Sequence, residues 1–336
     1  MTSAAINATG ISKRFADHIA VHSLDLSVPK GMVYGLLGPN GAGKTTTIRM
    51  LLNIIAPDSG AISILGLSSM DPSLSERIGY LPEERGLYRK MQVRRVLRFL
   101  GELKGLSGRD LDARIDRWLE RLSLRGAGAD WGNHRVDELS RGMQQKVQFI
   151  GALIHDPDLV ILDEPFSGLD PINAQALQDT ILELRQQGRT IIFSTHLMDN
   201  AERLCDAVCI IAGGRKIVDG PLSEVRENYG GNHVAIDLSA PPSPAVEGVL
   251  SDTRWSVRAN QSNRKFELDL PDAVDPAILL RALLDANAGV ERFERVQPSL
   301  HQIFVEKVSA ANAANGANTA DPVGAANGNH GVTANV

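Results

Sequence analysis

Residues 38–45 constrain the fold of this chain more than any other segment. They match the phosphate-binding loop pattern G-x-x-x-x-G-K-(S/T) without a mismatch. The apolar run at 32–37 predicts a buried strand in front of the loop, and residues 46–52 predict the first turns of a helix behind it. This order predicts an α/β core with the loop at the carboxyl end of a strand, where such sheets bind ligands.

The loop consists of residue types that can surround a phosphate group: Gly38, Pro39, Asn40, Gly41, Ala42, Gly43, Lys44 and Thr45, followed by Thr46. Glycine lets backbone N–H groups approach phosphate oxygens that a Cβ would block, and the helix N-terminus adds partial positive charge. Lys44 is expected to reach the β- and γ-phosphates, and the Thr45 hydroxyl to ligate Mg²⁺. The alternative, a glycine-rich turn that binds nothing, leaves the flanking strand and helix unexplained.

The composition limits the classes of protein to which the chain can belong. It has 336 residues, 43% hydrophobic and 22% charged, which permits about two globular domains. A net charge of −5 disfavours sequence-independent nucleic-acid binding. Without an 18-residue apolar run or a leader-like N-terminus, we predict a cytosolic chain that does not itself span a membrane. Cys205 and Cys209 match no zinc pattern and are expected to be reduced, buried apolar residues.

The chain divides into segments of different character. Residues 1–222 alternate apolar runs with helical patterns and predict an α/β core, within which residues 85–155 predict a mostly helical insertion. Residues 223–232 are expected to be a linker, and residues 233–308 a small α+β domain. Residues 309–336 consist mainly of Ala, Asn and Gly and predict a disordered tail, because they have few large apolar side chains to bury.

A pair of acids follows the second buried run. Residues 159–162 predict a parallel strand, and it ends in Asp163 and Glu164. Asp163 is expected to hold Mg²⁺, and Glu164 to polarise the attacking water as general base. The alternative is a strand-end turn with two solvated acids, which the phosphate-binding loop in the same chain makes less favourable.

A third pattern lies between these two. Residues 139–143 are Leu-Ser-Arg-Gly-Met, and with the loop and the acid pair they resemble the nucleotide-binding subunit of an ATP-binding-cassette (ABC) transporter, whose signature motif is LSGGQ. The resemblance implies that Ser140 and Gly142, flanked by Arg141 and Met143, contact the γ-phosphate of an ATP. Ser140 is equally expected to cap the following helix, because a helix cap and an anion site share one geometry.

The resemblance covers residues 1–222 and implies an α/β P-loop NTPase core with an antiparallel β subdomain and a helical insertion, followed by the small C-terminal α+β domain. It implies ATP and Mg²⁺ as ligands. It also implies that His196 contacts the γ-phosphate and holds Glu164 and water in place. The loop along the dimer seam, the D-loop, would comprise Ser167, Gly168, Leu169 and Asp170.

Four positions of the family pattern are occupied by unusual residues. Phe15 stands where the family has an aromatic residue, usually Tyr, that stacks on adenine; the alternative is a plain core residue. Glu83 replaces the family's Q-loop glutamine and is expected to contact Mg²⁺ or its water. Arg141 and Met143 depart from LSGGQ, and we hypothesise that the cation of Arg141 offsets the added charge of Glu83.

The family needs two subunits for each site, since the signature motif of one closes over the ATP of the other. This implies a second copy or a paralogue as partner, together with integral membrane permease subunits, at the cytoplasmic face of the membrane. Residues 81–88, 139–147 and 299–308 are similar to a bacterial exporter branch with a C-terminal accessory domain. Arginine-rich residues 89–104 are the candidate docking region, or else an ordinary amphipathic surface helix. Its expected apolar inner face comprises Val93, Val96, Leu97, Leu100 and Leu103, and its expected outward residues are Arg94, Arg95 and Arg98. The alternatives are an ABC ATPase of ribosomes or nucleic acid, and a P-loop kinase or GTPase.

Overall fold

The computed structural model describes residues 4–84, 86–126, 128–228, 232–271 and 273–317. The strands are β1 (Ala4–Phe15), β2 (His18–Pro29), β3 (Val33–Leu37), β4 (Ser59–Ile64), β5 (Leu67–Ser68), β6 (Ile78–Leu81), β7 (Arg125–Gly126), β8 (Ala129–Asp130), β9 (Leu159–Asp163), β10 (Thr190–Thr195), β11 (Ala207–Ala212), β12 (Arg215–Pro221), β13 (Asn232–Leu238), β14 (Ser256–Ser262), β15 (Lys265–Leu270) and β16 (Val290–Val296). The helices are α1 (Lys44–Leu51), α2 (Leu74–Arg77), α3 (Val93–Glu102), α4 (Gly108–Arg121), α5 (Arg141–Leu153), α6 (Pro171–Gln186), α7 (Met198–Leu204), α8 (Leu222–Asn228), α9 (Pro244–Leu250), α10 (Pro276–Asp285) and α11 (Leu300–Ala317).

A six-stranded sheet in the order β12-β11-β3-β10-β9-β6 forms the centre of the larger unit. All its neighbours are parallel except β11 and β12. Every residue of β3, β9, β10 and β11 is buried. Alternate residues of β3 enter two different cores, Val33 and Leu37 on one face, Tyr34 and Leu36 on the other. A sheet covered on both faces needs such continuous apolar strands, and the predicted buried strands are confirmed.

An antiparallel sheet in the order β2-β1-β4-β5 packs beside this core. Its inward side chains share one apolar cluster with α1 and with one face of the central sheet. Strands β1 and β2 are joined by a tight turn at Ala16, whose φ is 48°. The turn leaves Phe15 at the open end of β1, near the phosphate-binding loop. This is the antiparallel subdomain that the resemblance implies.

The insertion between β6 and β9 is mostly helical, as predicted. Val93, Val96 and Leu97 of α3 pack against α4 and α5 in the cluster that covers the other face of the central sheet. Three arginines of α3 were expected to face outward; Arg95 and Arg98 are exposed as predicted, whereas Arg94 is only partly exposed. Arg94 pairs with Asp116 and Asp130, and Arg98 pairs with Asp112, because α4 and its connection supply carboxylates at that distance.

The outer face of α3 has a different composition from the predicted one. Leu103 was assigned to the apolar inner face, but it is 66% exposed, because the helix ends at Glu102 and the chain turns there. Arg95, Phe99 and Leu103, spaced four residues apart, lie on the exposed side. The Tyr88 ring stands edge-on to Phe99, with centroids 5.7 Å apart. We call Tyr88, Arg95, Phe99 and Leu103 the α3 outer surface.

The C-terminal unit is a second sheet with its own core. Its strand order is β14-β15-β13-β16, and α9 and α10 cover one face around Leu268, Leu279 and Leu283. The chain then returns to the larger unit, where Leu300 and Ile303 of α11 pack into the core that also contains α7. Glu202 of α7 accepts a hydrogen bond from the Leu300 backbone N–H and pairs with Arg226 of α8 at 3.1 Å.

Two predicted boundaries are wrong in part. Residues 223–228 of the expected linker are helical, because Leu222 and Val225 at helical spacing bury themselves against the core; residues 229–231 lie outside the described part of the chain. Residues 309–317 of the expected tail continue α11, which the high helix propensity of alanine favours. Residues 318–336 are not among the described residues. No helix in the described ranges combines the length and hydropathy needed to cross a membrane.

The two cysteines are free thiols. Burial raises the pKa of both, which keeps them protonated at neutral pH. Cys209 is buried in β11, as predicted, while Cys205 is partly exposed.

Candidate functional site

The phosphate-binding loop connects β3 to α1 and accepts only glycine at two positions. A Cβ on Gly38 would lie 2.2 Å from the carbonyl oxygen of Ile211. Gly43 has a φ of 102°, and a Cβ there would lie 2.4 Å from the carbonyl oxygen of Ala20. The strands that flank the loop therefore exclude any larger residue. Gly43 is also the N-cap of α1 and provides no side-chain cap, which leaves the first-turn N–H groups available to an anion.

The loop borders a cavity of about 330 Å³. Its lining comprises Asn40, Gly41, Ala42, Gly43, Lys44, Thr45 and Thr46 of the loop, together with Phe15, His18, Ala20, Glu83 and Glu164. The structure thus brings together residues that are 149 positions apart in the sequence, from Phe15 to Glu164. Gly38 and Pro39 lie behind this surface and contribute backbone carbonyls to the position of Lys44.

Lys44 is a buried cation at the floor of the cavity, with only 6% of its surface exposed. Its Nζ donates to the carbonyl oxygens of Gly38 at 2.7 Å and Pro39 at 3.1 Å. The same atom lies 3.5 Å from Glu164 Oε1. Two neutral carbonyls and one shared carboxylate leave the ammonium able to exchange partners when a more highly charged anion enters.

Asp163, at the end of β9, is completely buried. Its Oδ1 accepts hydrogen bonds from Ser194 at 2.5 Å and from Thr45 at 3.3 Å. Its Oδ2 is buried and has no hydrogen-bond partner among the described residues. Burial raises the pKa of this carboxyl above its ordinary value, against the opposing effect of the two hydroxyls. An unpaired carboxylate oxygen beside a threonine hydroxyl is a donor set that suits Mg²⁺, so the residues fit this ion.

Glu164 follows Asp163 in an unusual conformation. Its φ is 49°, which costs a non-glycine residue about 1–2 kcal/mol. Its backbone N–H donates to Ser194 Oγ at 3.0 Å, and its Oε1 lies 3.0 Å from His196 Nδ1. The carboxylate is 7% exposed and faces the cavity. Strand β10 thus supplies both the serine and, one residue past its end, the histidine that hold Glu164 in position.

Phe15 is 47% exposed at the rim of the cavity, so the alternative of a plain core residue is wrong. The Nζ of Lys13 lies 5.7 Å from its ring centroid. An exposed ring beside a cation at the mouth of a phosphate-binding cavity is suited to stacking on a planar base.

Replacing Phe15 with alanine is expected to raise the KM for ATP about tenfold, with little change in kcat, because stacking on a base is worth about 1–3 kcal/mol. Steady-state ATPase assays measure both constants. Phe15→Tyr, which keeps the ring, serves as the control and should retain the wild-type KM. An unchanged KM in Phe15→Ala would assign the base to another part of the rim.

The signature segment begins α5 at a distance from this cavity. Ser140 is the N-cap, and its Oγ accepts from the Met143 backbone N–H at 3.3 Å. Arg141 is exposed in the first turn, and a Cβ on Gly142 would lie 2.9 Å from the side chain of Asn173. In the described part of the chain, none of residues 140–143 lines the cavity that Glu83 borders. If the cation of Arg141 offsets the negative charge of Glu83, it would therefore do so from a different subunit.

The predicted D-loop connects Glu164 to α6. The Ser167 backbone N–H donates to the Glu164 carbonyl at 3.1 Å, and Gly168 adopts a φ of 69°. Leu169 packs beside Gly142 of the signature. Asp170 is the N-cap of α6, and the hydrogen bond from the Asn173 backbone N–H holds the pKa of its carboxyl below the ordinary value.

Sequence reasoning missed Ser194, His18 and Ala20. Ser194 could have been found from strand register, because it lies directly beside Asp163 in the parallel pair of β10 and β9. His18 pairs with Phe15 across the turn between β1 and β2. No sequence pattern marks Ala20, whose position depends on the approach of β2 to the loop.

Two regions of the chain match known protein families. The family model of the ABC transporter matches residues 21–167, and the model of the ATP-binding protein DrrA1-3-like C-terminal domain matches residues 220–308. The uncharacterized ABC transporter ATP-binding protein YhaQ of Bacillus subtilis (strain 168) is 42% identical over 304 residues, covering 89% of this chain and 97% of YhaQ. The Nod factor export ATP-binding protein I of Cupriavidus pinatubonensis (strain JMP 134 / LMG 1197) is 39% identical over 298 residues, 88% of each chain.

A solved structure agrees with these relatives. The ATP-binding subunit of an ABC transporter superposes with a TM-score of 0.60 at 31% identity, covering 67% of this chain and 92% of that one. The fold, the phosphate-binding cavity and the matched relatives agree with one another. The chain belongs to the ABC transporter ATP-binding proteins and is an ATPase subunit with a DrrA-like C-terminal domain.

Proposed function

We propose that this chain hydrolyses ATP at the seam of a head-to-tail dimer and thereby drives an exporter. The observation that carries the proposal is the division of the site within one chain. Lys44, Thr45 and Glu164 line the cavity, with Asp163 beside Thr45 and His196 beside Glu164, yet none of the signature residues 140–143 lines it. A second copy, or a paralogue, would supply its own Ser140 to Met143 and enclose the γ-phosphate. The named relative in Nod factor export supports the direction.

Each residue of the site has a defined task in this proposal. Phe15 stacks on the adenine, the N–H groups of residues 40–46 donate to the phosphates, and Lys44 exchanges the Gly38 and Pro39 carbonyls for β- and γ-phosphate oxygens. Thr45 and Asp163 would hold Mg²⁺. When bound, Mg²⁺ neutralises charge on the phosphates. Glu83 borders the same cavity and would contact the ion or its water, in place of a neutral amide.

Glu164 acts as general base and accepts a proton from the attacking water. His196, 3.0 Å from Oε1, holds the carboxylate in the direction of the γ-phosphate, and the backbone bond to Ser194 fixes its main chain. The products are ADP and phosphate. Loss of the γ-phosphate removes the group that both subunits contact, so the two subunits separate. The pair thus has a joined and a separated state, and the bound nucleotide decides which one is favoured.

The membrane subunits would contact the α3 outer surface. This surface combines an exposed aromatic pair, Tyr88 and Phe99, with Leu103 at 66% exposure and with the cation of Arg95. Exposed apolar groups gathered in one patch are typical of protein contact sites. The segment that begins with Glu83 leads directly to Tyr88, so displacement of this surface would be transmitted to the nucleotide cavity. The chain would thus act at the cytoplasmic face of the membrane.

Co-purification tests this function. The tagged chain is expressed with any multi-span membrane protein that a neighbouring gene encodes, and a complex of the two should survive detergent solubilisation and transport substrate across a vesicle membrane in an ATP-dependent manner. Phe99→Asp should abolish co-purification without changing the ATPase rate of the isolated chain. Ile278→Asp, at a residue of the C-terminal unit that is 46% exposed against 36% for Phe99, is the control and should co-purify normally. Retention of the complex in Phe99→Asp would contradict the assigned surface. A chain that binds ribosomes instead would contradict the transport function.

A further inference from the structure

Helix α5 carries a line of buried polar residues that the proposed mechanism does not use. Gln145 is 3% exposed and Gln148 is 7% exposed. Both follow Gly142 at intervals of three residues and lie on the same side of the helix. Gly142 itself lies against Leu169 of the D-loop and Asn173 of α6. Glutamine is uncommon at full burial, and two such residues three positions apart on one helix call for a physical explanation.

Gln145 connects the signature helix to the segment that follows the general base. Its Nε2 donates to the carbonyl oxygen of Pro165 at 3.2 Å. Pro165 is the next residue after Glu164, whose backbone is already held at a φ of 49°. The strained main chain at Glu164 thus has a bond to Ser194 on one side and, through Pro165, a bond to α5 on the other.

Gln148 connects the same helix to a second segment of the cavity wall. Its Nε2 donates to the carbonyl oxygen of Glu84 at 2.9 Å, directly after Glu83. Its Oε1 is buried without a hydrogen-bond partner among the described residues. An unpaired buried acceptor costs stability, so an apolar side chain would serve the core better. The amide at this position is therefore not explained by the stability of the fold.

In the proposed dimer, the contacts of Gly142, Gln145 and Gln148 place helix α5 between the two ATP sites. The first turn of α5 is the part that would contact the ATP bound by the other subunit, whereas Gln145 and Gln148 reach the base and the Q-loop position of the chain's own site. From Ser140 to Gln148 the helix spans about 12 Å. A helix moves as a unit over this length, so a shift at its first turn reaches both amides.

We infer that Gln145 and Gln148 are positioning residues that couple the two ATP sites of the dimer. ATP held by the partner draws the first turn of α5 toward its γ-phosphate, and the two amides transmit that shift to the Pro165 and Glu84 carbonyls. Glu164 and Glu83 then take their working positions only when the other site is also filled. This inference rests on the head-to-tail dimer of the proposed function.

The test is the ATP dependence of hydrolysis by the purified full-length chain. The wild-type protein should show a Hill coefficient above about 1.5, since the two sites of the dimer set the upper limit. Gln145→Met and Gln148→Met, which keep side-chain length but remove the donor, should each lower it to about 1. Gln145→Met should also lower kcat about fivefold or more. The dissociation constant for ATP, measured by equilibrium dialysis at low protein concentration, should stay within about twofold of wild type.

Lys146 provides the matched control on the same helix. It is 6% exposed, and its Nζ donates to the carbonyl of Leu122 in the helical insertion at 2.9 Å, not to a segment of the cavity wall. Lys146→Met should lower the melting temperature, because it leaves the buried Leu122 carbonyl without its donor, yet keep the wild-type Hill coefficient. If Gln145→Met does not fold, Gln148→Met decides the question by the same measurement.

The possible failures can be told apart. A wild-type Hill coefficient of 1, an unchanged coefficient in both glutamine variants, or an equal loss in Lys146→Met would each overturn the coupling role. The last result would show that any loosening of α5 has the same effect. None of these outcomes affects the proposed function, which fails instead if ATP does not bring two subunits together.

Discussion

Lys44→Ala is expected to abolish ATP turnover to below about 1% of the wild-type rate and to weaken ATP binding by about 10–100-fold. Charge-assisted hydrogen bonds contribute about 1.5–3 kcal/mol each, and Lys44 is the buried cation that borders the cavity floor. Phosphate release reports turnover, and calorimetric titration with ATP reports affinity. The fold should persist, because the Gly38 and Pro39 carbonyls that lose their donor lie beside a cavity that water can enter.

Lys44→Arg is the informative companion variant. It keeps the charge, but a planar guanidinium cannot occupy the space of an ammonium between two carbonyls, so turnover should also fall steeply. Near-normal activity in Lys44→Arg would show that charge alone suffices. Wild-type turnover in Lys44→Ala would remove the phosphate-binding role from residues 38–45.

Glu164→Gln is expected to lower kcat by about 10²–10⁴-fold while ATP still binds, because the change removes the proton acceptor but keeps the shape of the side chain. With ATP bound and not hydrolysed, the two subunits should stay together. Size-exclusion chromatography should therefore show a dimer of Glu164→Gln in ATP and a monomer in ADP. The wild-type protein should show the dimer only transiently.

Two further measurements make this result specific. Glu183→Gln, at a surface carboxylate paired with Arg121, removes a charge of the same kind far from the cavity and should behave as wild type. Normal hydrolysis in Glu164→Gln would transfer the role of base to another group. A hydrolysis-deficient variant that never dimerises would argue against the second subunit as the source of the signature residues.

The sequence identifies most of this site, because its chemistry depends on local order. A glycine loop between a strand and a helix, and two acids after a buried strand, define their own surroundings, and the structure places Lys44, Thr45, Asp163 and Glu164 together as that order predicts. Ser194 was missed because its role arises from the register between two strands, which no single segment encodes.

Partners of surface and buried polar groups were harder to predict. Periodicity gives the face of a helix but not what lies opposite, so the ion pairs of Arg94 with Asp116 and of Arg98 with Asp112, both on α4, were not predicted. The glutamines of α5 carry no pattern that distinguishes them from a polar surface residue. Helix α8 was missed because a short stretch with only Leu222 and Val225 as apolar residues has no visible period.

The packing of α11 against α7 has a practical meaning for anyone who shortens this protein. The C-terminal family model begins at residue 220, and β12 of the central sheet ends at Pro221. Both suggest a cut near residue 222 to obtain a minimal ATPase. Such a fragment would lack Leu300 and Ile303, which cover the core beside α7, and it would lose the bond to Glu202. Because α7 begins two residues after His196, the exposed apolar surface would border this histidine. The C-terminal unit follows the larger unit in the sequence, but its last helix packs into the core of the larger unit. We therefore expect the chain through α11 to be the smallest fragment that keeps the native ATPase.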